Sequence, residues 1–212
     1  MKFKNWPYTG LFLLAVAGGL LAGYLSFHAR HRERPVTAAL LLHDPKPLPD
    51  FSLADTTGGT FTKASLVGHW NLLYFGYTHC PDACPTTLAA LDKFTAQTGR
   101  LPKQLKPRVY FVSVDPKRDS LELLKNYALY FNPAFTGATG SLDALHALTT
   151  PLGVDFSYGK PDAKGDYAVD HTSFVVLVDP RAEEVALFSP PMEPARMAAD
   201  YRAILKFYGD SP

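Results

Sequence analysis

One uninterrupted apolar and aromatic run, WNLLYFGY at Trp70–Tyr77, constrains the fold of this chain more than any other stretch. A strand with one face in water alternates apolar and polar residues, whereas a strand covered on both faces is apolar throughout. The run therefore predicts a central strand with helices on both sides of its sheet. RVYFVSVD at Arg108–Asp115 predicts a second buried strand, and the helical pattern between the two predicts that they are parallel.

The body of the chain alternates strand and helix patterns around these two runs. Turn residues between short extended pieces predict a β-hairpin within residues 51–62, and apolar residues at helical spacing predict the helices. The remaining predictions are helices over 85–98, 120–131, 141–150 and 194–208, and two closing strands over 173–179 and 184–189. This order predicts an α/β fold, a thioredoxin-like mixed central sheet flanked by helices, with the hairpin as an N-terminal extension.

A twenty-residue apolar segment, YTGLFLLAVAGGLLAGYLSF at Tyr8–Phe27, precedes that body. At 1.5 Å per residue, a helix of this length spans the roughly 30 Å hydrocarbon core of a bilayer, so we expect one transmembrane helix. A cleavable signal peptide is the competing interpretation, but its apolar region is shorter, about 7–15 residues, and needs a small-residue cleavage site. We therefore expect an uncleaved membrane anchor over residues 1–29, a proline-containing tether over 30–49 and the folded domain over 50–210.

The positive charge of the chain is concentrated at the predicted membrane end. Basic residues flank the apolar segment, whereas from residue 35 onward 16 Lys and Arg stand against 19 Asp and Glu, a net charge of −3. This charge predicts no nucleic-acid partner, and a hydrophobic content of 47% excludes a disordered chain. With the short charged N-terminus inside, we expect a single-pass protein of the inner (cytoplasmic) membrane whose soluble domain faces the periplasm.

The loop THCPDACP follows the central strand and contains both cysteines of the chain, Cys80 and Cys84. Cys84 is predicted at the start of the next helix, with Pro85 at the first helical position, where the helix dipole would lower the pKa of a thiol. Side chains four residues apart on a helical turn lie about 5–6 Å from each other, which suits a shared metal and allows a disulfide only after local adjustment. The pair is therefore a candidate metal site or redox pair, with a structural staple as the remaining interpretation.

His171 is the candidate third ligand. It stands directly before the predicted strand at 173–179, and in a thioredoxin-like sheet the loop that enters this strand faces the cysteine loop. An imidazole and two thiolates form a donor set suited to copper or zinc. The sequence therefore predicts a metal site made by Cys80, Cys84 and His171.

Other residues near these motifs have supporting interpretations. Asp170 is expected to orient His171 by accepting a hydrogen bond from its second ring nitrogen. Asp115 and Asp119, in VDPKRDS, are interpreted as turn and cap residues, with Ser120 as the other candidate cap of the helix over 120–131. His79 is expected not to be a ligand, since its side chain should diverge from that of the neighbouring cysteine.

Three motifs, FGYTHCPDACPTTL, VSVDPKRD and VDHTSFVVLVDP, together with the apolar N-terminal segment, resemble the Sco/SenC family of membrane-anchored, copper-binding thioredoxin-fold proteins. The resemblance covers roughly residues 46–208. It implies one copper per domain, as Cu(I) or Cu(II), held by Cys80, Cys84 and His171. It also implies delivery of copper, or of reductant, to the dinuclear copper site of cytochrome c oxidase subunit II or to another copper protein.

The alternative functions use the same residues. A thiol-disulfide oxidoreductase would use Cys80 and Cys84 as catalytic residues and keep the copper-ligand cysteines of a partner reduced. A copper or redox sensor would use the identical set. The spacing of the cysteines and the presence of His171 favour a metallochaperone over an enzyme.

Overall fold

The computed structural model describes residues 13–21, 23 and 37–209. The chain divides into two units, Met1–Pro35 and Val36–Pro212. In the first unit, residues 13–21 and 23 are helical. None of the helices within the described ranges is both long and apolar enough to cross a membrane. The rest of the predicted transmembrane segment over residues 8–27 lies outside the described residues, so the membrane anchor stays a prediction.

The second unit is built around one mixed sheet of eight strands. Its strands and those of a separate hairpin are β1 (Leu40–Pro47), β2 (Ser52–Asp55), β3 (Thr60–Thr62), β4 (Asn71–Gly76), β5 (Arg108–Ser113), β6 (Thr136–Thr139), β7 (Phe156–Tyr158), β8 (Val169–His171), β9 (Val175–Val178) and β10 (Glu183–Phe188). The order in the main sheet is β1, β10, β9, β4, β5, β6, β2, β3, and β7 pairs with β8 in a second, two-stranded sheet. β4, β5 and β6 are parallel, and the other neighbours are antiparallel.

The described part of the second unit contains five α-helices, two of which begin at a serine cap. The helices are α1 (Lys63–Leu66), α2 (Ala83–Thr98), α3 (Leu121–Phe131), α4 (Leu142–Thr149) and α5 (Pro194–Tyr208). Before α3, the Ser120 hydroxyl accepts a hydrogen bond from the Leu123 N–H, and Ser141 does the same before α4. α5 ends at Gly209, whose φ of 87° is readily adopted by glycine.

Strand β4 lies at the centre of the core, as its apolar sequence predicts. All six of its residues are buried, and it pairs with the largely buried β5 on one side and with β9 on the other. Helix α5 packs against this core, where the fully buried ring of Trp70 meets Tyr201 edge-on at 5.9 Å between centroids. The prediction of a mixed central sheet flanked by helices is confirmed.

Part of the predicted tether over residues 30–49 is a strand instead. β1 pairs antiparallel with β10 at the edge of the sheet, with a register shift between Leu41 and Lys46. Prolines are tolerated there because an edge strand leaves one row of backbone N–H groups unpaired. The flanking residues Ala39 and Leu48 are buried in the core. The tether prediction is therefore wrong for residues 40–47.

Three short strands and the start of one helix also differ from the sequence prediction. β6, β7 and β8 contain four, three and three residues, too few for a periodic pattern to reveal them. α2 begins at Ala83 rather than at Pro85. The proline is then the third helical residue, which is still within the first turn, where backbone N–H groups have no intrahelical partner.

Candidate metal centre

The cysteine loop joins the carboxyl end of β4 to the start of α2. The Cys80 N–H donates to the Tyr77 carbonyl at 3.3 Å and closes a turn. Asp82 is the N-cap residue of α2, so Cys84 is the second residue of the helix. The Cys84 N–H donates to the Cys80 sulfur at 3.4 Å, which fixes this sulfur at the helix start. Both thiols are free; Cys84 is buried and Cys80 is half-buried.

Gly76, the last residue of β4, allows the strand and the helix to approach closely. A methyl group at this position would lie 2.6 Å from the Cys84 sulfur and 2.9 Å from the Phe111 ring. Both distances are far shorter than a normal contact between heavy atoms, which is about 3.5–4.0 Å. The absence of a side chain at position 76 therefore leaves the space that the Cys84 sulfur occupies.

His171 is brought to the cysteines by the β7–β8 hairpin. It is the last residue of β8 and pairs with Phe156. Its Nδ1 lies 3.1 Å from the Thr172 carbonyl oxygen, and its Nε2 lies 3.5 Å from the Cys84 sulfur. The carbonyl can only accept a hydrogen bond, so this contact assigns the proton of a neutral ring to Nδ1. The lone pair of Nε2 then faces the sulfur.

The three predicted ligands therefore meet at one point. One side-chain ligand atom from each of Cys80, Cys84 and His171 lies within 4.8 Å of the other two. The three residues come from a loop, a helix and a strand, which converge at the carboxyl end of β4. Two sulfurs and one imidazole nitrogen form a soft to borderline donor set that fits copper or zinc rather than magnesium or calcium.

Burial controls the protonation of this site. It raises the pKa of the Cys84 thiol to about 12 and lowers the pKa of His171 below its ordinary value. The expectation that the helix dipole favours a Cys84 thiolate is therefore wrong for the metal-free protein. The reason is that the sulfur is fully buried, so the cost of desolvating a thiolate exceeds what the helix start provides. At neutral pH the site holds a neutral Cys84 thiol and a neutral imidazole.

The sequence model of the SCO1/SenC family matches residues 43–206. The chain belongs to this family. Among curated members, the mitochondrial SCO1 homolog of Homo sapiens is 31% identical over 196 residues, which cover 92% of this chain and 65% of the human protein. The chain thus spans less than two thirds of that protein's length.

Solved structures of SCO1/SenC proteins share the fold. The structure of apo Sco1 from Thermus thermophilus has a TM-score of 0.70 at 36% identity, covering 80% of this chain and 98% of that one. The structure of Arabidopsis thaliana ScoI with copper bound has a TM-score of 0.69 at 28% identity, covering 75% of this chain and 98% of that one. The prediction of membership in the Sco/SenC family, and of its thioredoxin-like fold, is confirmed.

In this SCO1/SenC chain, the supporting residues differ from their sequence interpretation. Asp170 is exposed, and the backbone carbonyl of Thr172, rather than the Asp170 carboxylate, accepts the hydrogen bond from His171. The cause is the strand geometry, because successive side chains of β8 point to opposite faces. His79 lies outside the cluster formed by Cys80, Cys84 and His171. Its Nδ1 lies 3.5 Å from an Asp119 carboxylate oxygen.

Asp119 supports the cysteine loop, a role that its sequence interpretation as a turn or cap residue misses. Its buried carboxylate accepts hydrogen bonds from the Thr78 N–H at 2.9 Å, from the Thr78 hydroxyl at 2.6 Å and from the Ser113 hydroxyl. Of the two candidate caps of α3, Ser120 is the one that accepts a helix N–H. The contact between Thr78 and Asp119 joins residues 41 positions apart, so no local sequence pattern could have revealed it.

Replacing Asp119 by asparagine is expected to destabilise the protein by about 1–3 kcal/mol, because one of its acceptor oxygens becomes an N–H donor beside buried donors. Urea unfolding of the metal-free protein measures this loss. Asp143→Asn is the control: Asp143 is exposed in the first turn of α4, and its loss should cost less than about 1 kcal/mol. Equal effects of the two substitutions would contradict the assigned role of Asp119.

Proposed function

We propose that this protein is a copper chaperone that holds one copper ion between Cys80, Cys84 and His171 and transfers it to another copper protein. The observation that carries the proposal is the convergence of two free sulfurs and an imidazole nitrogen with its lone pair directed at them. The relative with copper bound supports copper over zinc. The recipient implied by the family resemblance is the dinuclear copper site of cytochrome c oxidase subunit II.

The different burial of the two cysteines suggests how copper leaves the site. Cys84 is fully buried, whereas Cys80 is half-buried at the rim. A thiolate or imidazole of the recipient would reach the metal from the Cys80 side and replace that ligand first. Cys84 and His171 would hold the ion until further recipient ligands complete the exchange. In the same proposal the N-terminal segment anchors the protein in the inner membrane and the domain faces the periplasm.

Thiol reduction is a second candidate, and the same difference in burial supports it. Cys80 as thiolate would attack a partner disulfide, form a mixed disulfide and release one partner thiolate. Cys84, after loss of its proton, would then attack the Cys80 sulfur. This step forms a Cys80–Cys84 disulfide and releases the second partner thiol, so the protein supplies two electrons to the partner. An external thiol reductant would restore the pair.

The first test is the copper stoichiometry of the reduced full chain and of its His171→Ala variant. We expect one copper per chain with sulfur-to-copper absorption, and an affinity at least roughly tenfold lower in the variant, since even loss of an outer-shell partner costs 10–100-fold. His69→Ala is the matched control, because His69 lies at the amino end of β4, away from the cysteines. An equal affinity of all three proteins would exclude His171 as a ligand.

A transfer experiment separates the two candidate functions. The copper-loaded protein is mixed with the reduced copper-free soluble domain of an oxidase subunit II, and the metal-free reduced protein is mixed with the oxidised domain. Appearance of the dinuclear copper spectrum in the first mixture supports delivery. Reduction of the partner disulfide in the second mixture alone supports thiol reduction.

A further inference from the structure

The hairpin that presents His171, residues 156–171, lies outside the main sheet. Within residues 37–209, β7 and β8 pair only with each other. The loop between them is closed by backbone hydrogen bonds of its own, from Gly159 to Ala168 and from Asp162 to Asp166. The backbone pairing that fixes β4 against its neighbours therefore does not fix this His171 hairpin against the cysteine loop. The distance from the imidazole to the two sulfurs therefore depends on the short link from His171 to β9, which pairs with β4, and on side-chain contacts of the hairpin.

Arg118 makes several of these side-chain contacts, and the Tyr158 hydroxyl adds another by donating to the Val114 carbonyl. Arg118 stands in the loop between β5 and α3, and its side chain is 14% exposed. Its Nε donates to one oxygen of the buried Asp115 at 2.6 Å, and its guanidinium carbon lies 3.6 Å from the centroid of the Tyr167 ring. The Tyr167 hydroxyl donates to the other oxygen of Asp115 at 2.8 Å. These three residues form a closed triad between the loop after β5 and the His171 hairpin.

The same guanidinium also contacts the start of the cysteine loop. It lies 5.6 Å from the centroid of the Tyr77 ring. Tyr77 in turn packs edge-on against the His171 ring at 5.9 Å between centroids. Arg118 therefore contacts both the hairpin that carries His171 and the Tyr77 ring, which itself packs on the His171 ring.

We propose that Arg118 is a positioning residue that holds the His171 hairpin against the cysteine loop, so that His171 is within reach of a metal bound by both sulfurs. A guanidinium is suited to this role because it stacks on a ring and donates directed hydrogen bonds in its plane at the same time. The purpose of this contact rests on the proposed copper function. The contact between Arg118 and the His171 hairpin does not require copper, so it is tested first in the metal-free protein.

In the metal-free full chain, Arg118→Gln is expected to weaken the nuclear Overhauser contacts between the rings of His171 and Tyr77. Arg181→Gln is the matched control: Arg181 pairs with two carboxylates, Asp179 and Glu183, at the β9–β10 turn, as Arg118 pairs with Asp115 and Asp166. The control should retain the wild-type contacts between the two rings. Unchanged contacts in Arg118→Gln would overturn the inference.

The second measurement uses copper. We expect Arg118→Gln to bind copper roughly tenfold or more weakly than wild type. The sulfur-to-copper absorption should persist, while the nitrogen coupling in the electron paramagnetic resonance spectrum of the Cu(II) form is lost or reduced. Arg118→Lys should restore only part of the affinity, because an ammonium retains the charge but not the stacking. Wild-type affinity and nitrogen coupling in Arg118→Gln would overturn the inference.

The two measurements distinguish this inference from the proposed function. If wild type binds no copper, the proposed function fails, and the ring contacts of the metal-free protein still decide the role of Arg118. If Arg118→Gln does not fold, Tyr167→Phe replaces it, because that change removes only the hydrogen bond to Asp115. A smaller loss of the same ring contacts is then expected, and contacts equal to wild type would overturn the inference.

Discussion

Alanine at position 76 is expected to destabilise the metal-free protein by about 1–3 kcal/mol and to abolish tight copper binding. The added methyl group would lie 2.6 Å from the Cys84 sulfur and 2.9 Å from Phe111, so one or both must move. Phe111 is fully buried in the sheet core, so a shift of its ring would displace other core side chains. Cys84 is therefore expected to shift away from His171. Urea unfolding measures the first effect, and competition with a copper chelator measures the second.

Gly137→Ala separates the loss of stability from the loss of the site. A methyl group at Gly137 would lie 2.6 Å from Leu124, so the packing conflict is as severe as at Gly76. Gly137 lies on β6, two strands away from β4. We expect a similar loss of stability with unchanged copper affinity. If both variants lose copper to the same extent, general destabilisation rather than displacement of Cys84 explains the result.

The apparent affinity for copper is expected to rise at least tenfold per pH unit between about pH 6.5 and 8.5. Burial raises the pKa of Cys84 to about 12, so the metal-free thiol is protonated across this range and must release its proton when it binds metal. Each proton released gives a tenfold change per pH unit. His171 adds less than one proton at the lower end of this window and none at its upper end, because burial lowers its pKa below the ordinary value.

Chelator competition under anaerobic conditions measures this slope, and calorimetry in buffers of different ionisation enthalpy counts the protons released. Cys84→Ser is the control, since a serine hydroxyl does not ionise in this range. The variant is expected to bind more weakly and to lose about one proton from the slope. A pH-independent affinity in wild type would show that Cys84 is not a ligand or is already ionised.

Local patterns in the sequence predict the framework of the site. Apolar runs indicate which strands are buried, and the order of strand and helix patterns indicates the direction of the chain. The apolar run at Trp70–Tyr77 predicts a strand buried on both faces, and β4 is such a strand. A cysteine pair directly after that strand and a histidine before a later one predict three ligands at the same edge of the sheet. The structure brings Cys80, Cys84 and His171 together there.

The short and irregular parts of the fold have no recognisable pattern in the sequence. β6, with sequence TGAT, has neither the length nor the alternation of a recognisable strand. The prolines of β1 suggest an unstructured tether, although at the sheet edge they leave its pairing with β10 intact. β6 and β1 are strands because each pairs with a neighbouring strand that is distant in sequence.

The sequence by itself determined the α/β fold, the position of the cysteine loop after the central strand and the identity of the three candidate ligands. Only the tertiary structure decided the protonation of Cys84, because desolvation depends on how closely α2 packs on Gly76. It also decided the roles of Asp119 and Arg118, whose charged groups contact residues 41 and 49 positions away, Thr78 and Tyr167. Hydrophobic periodicity encodes which face of an element is buried, whereas contacts between distant polar side chains arise only when the elements are packed together.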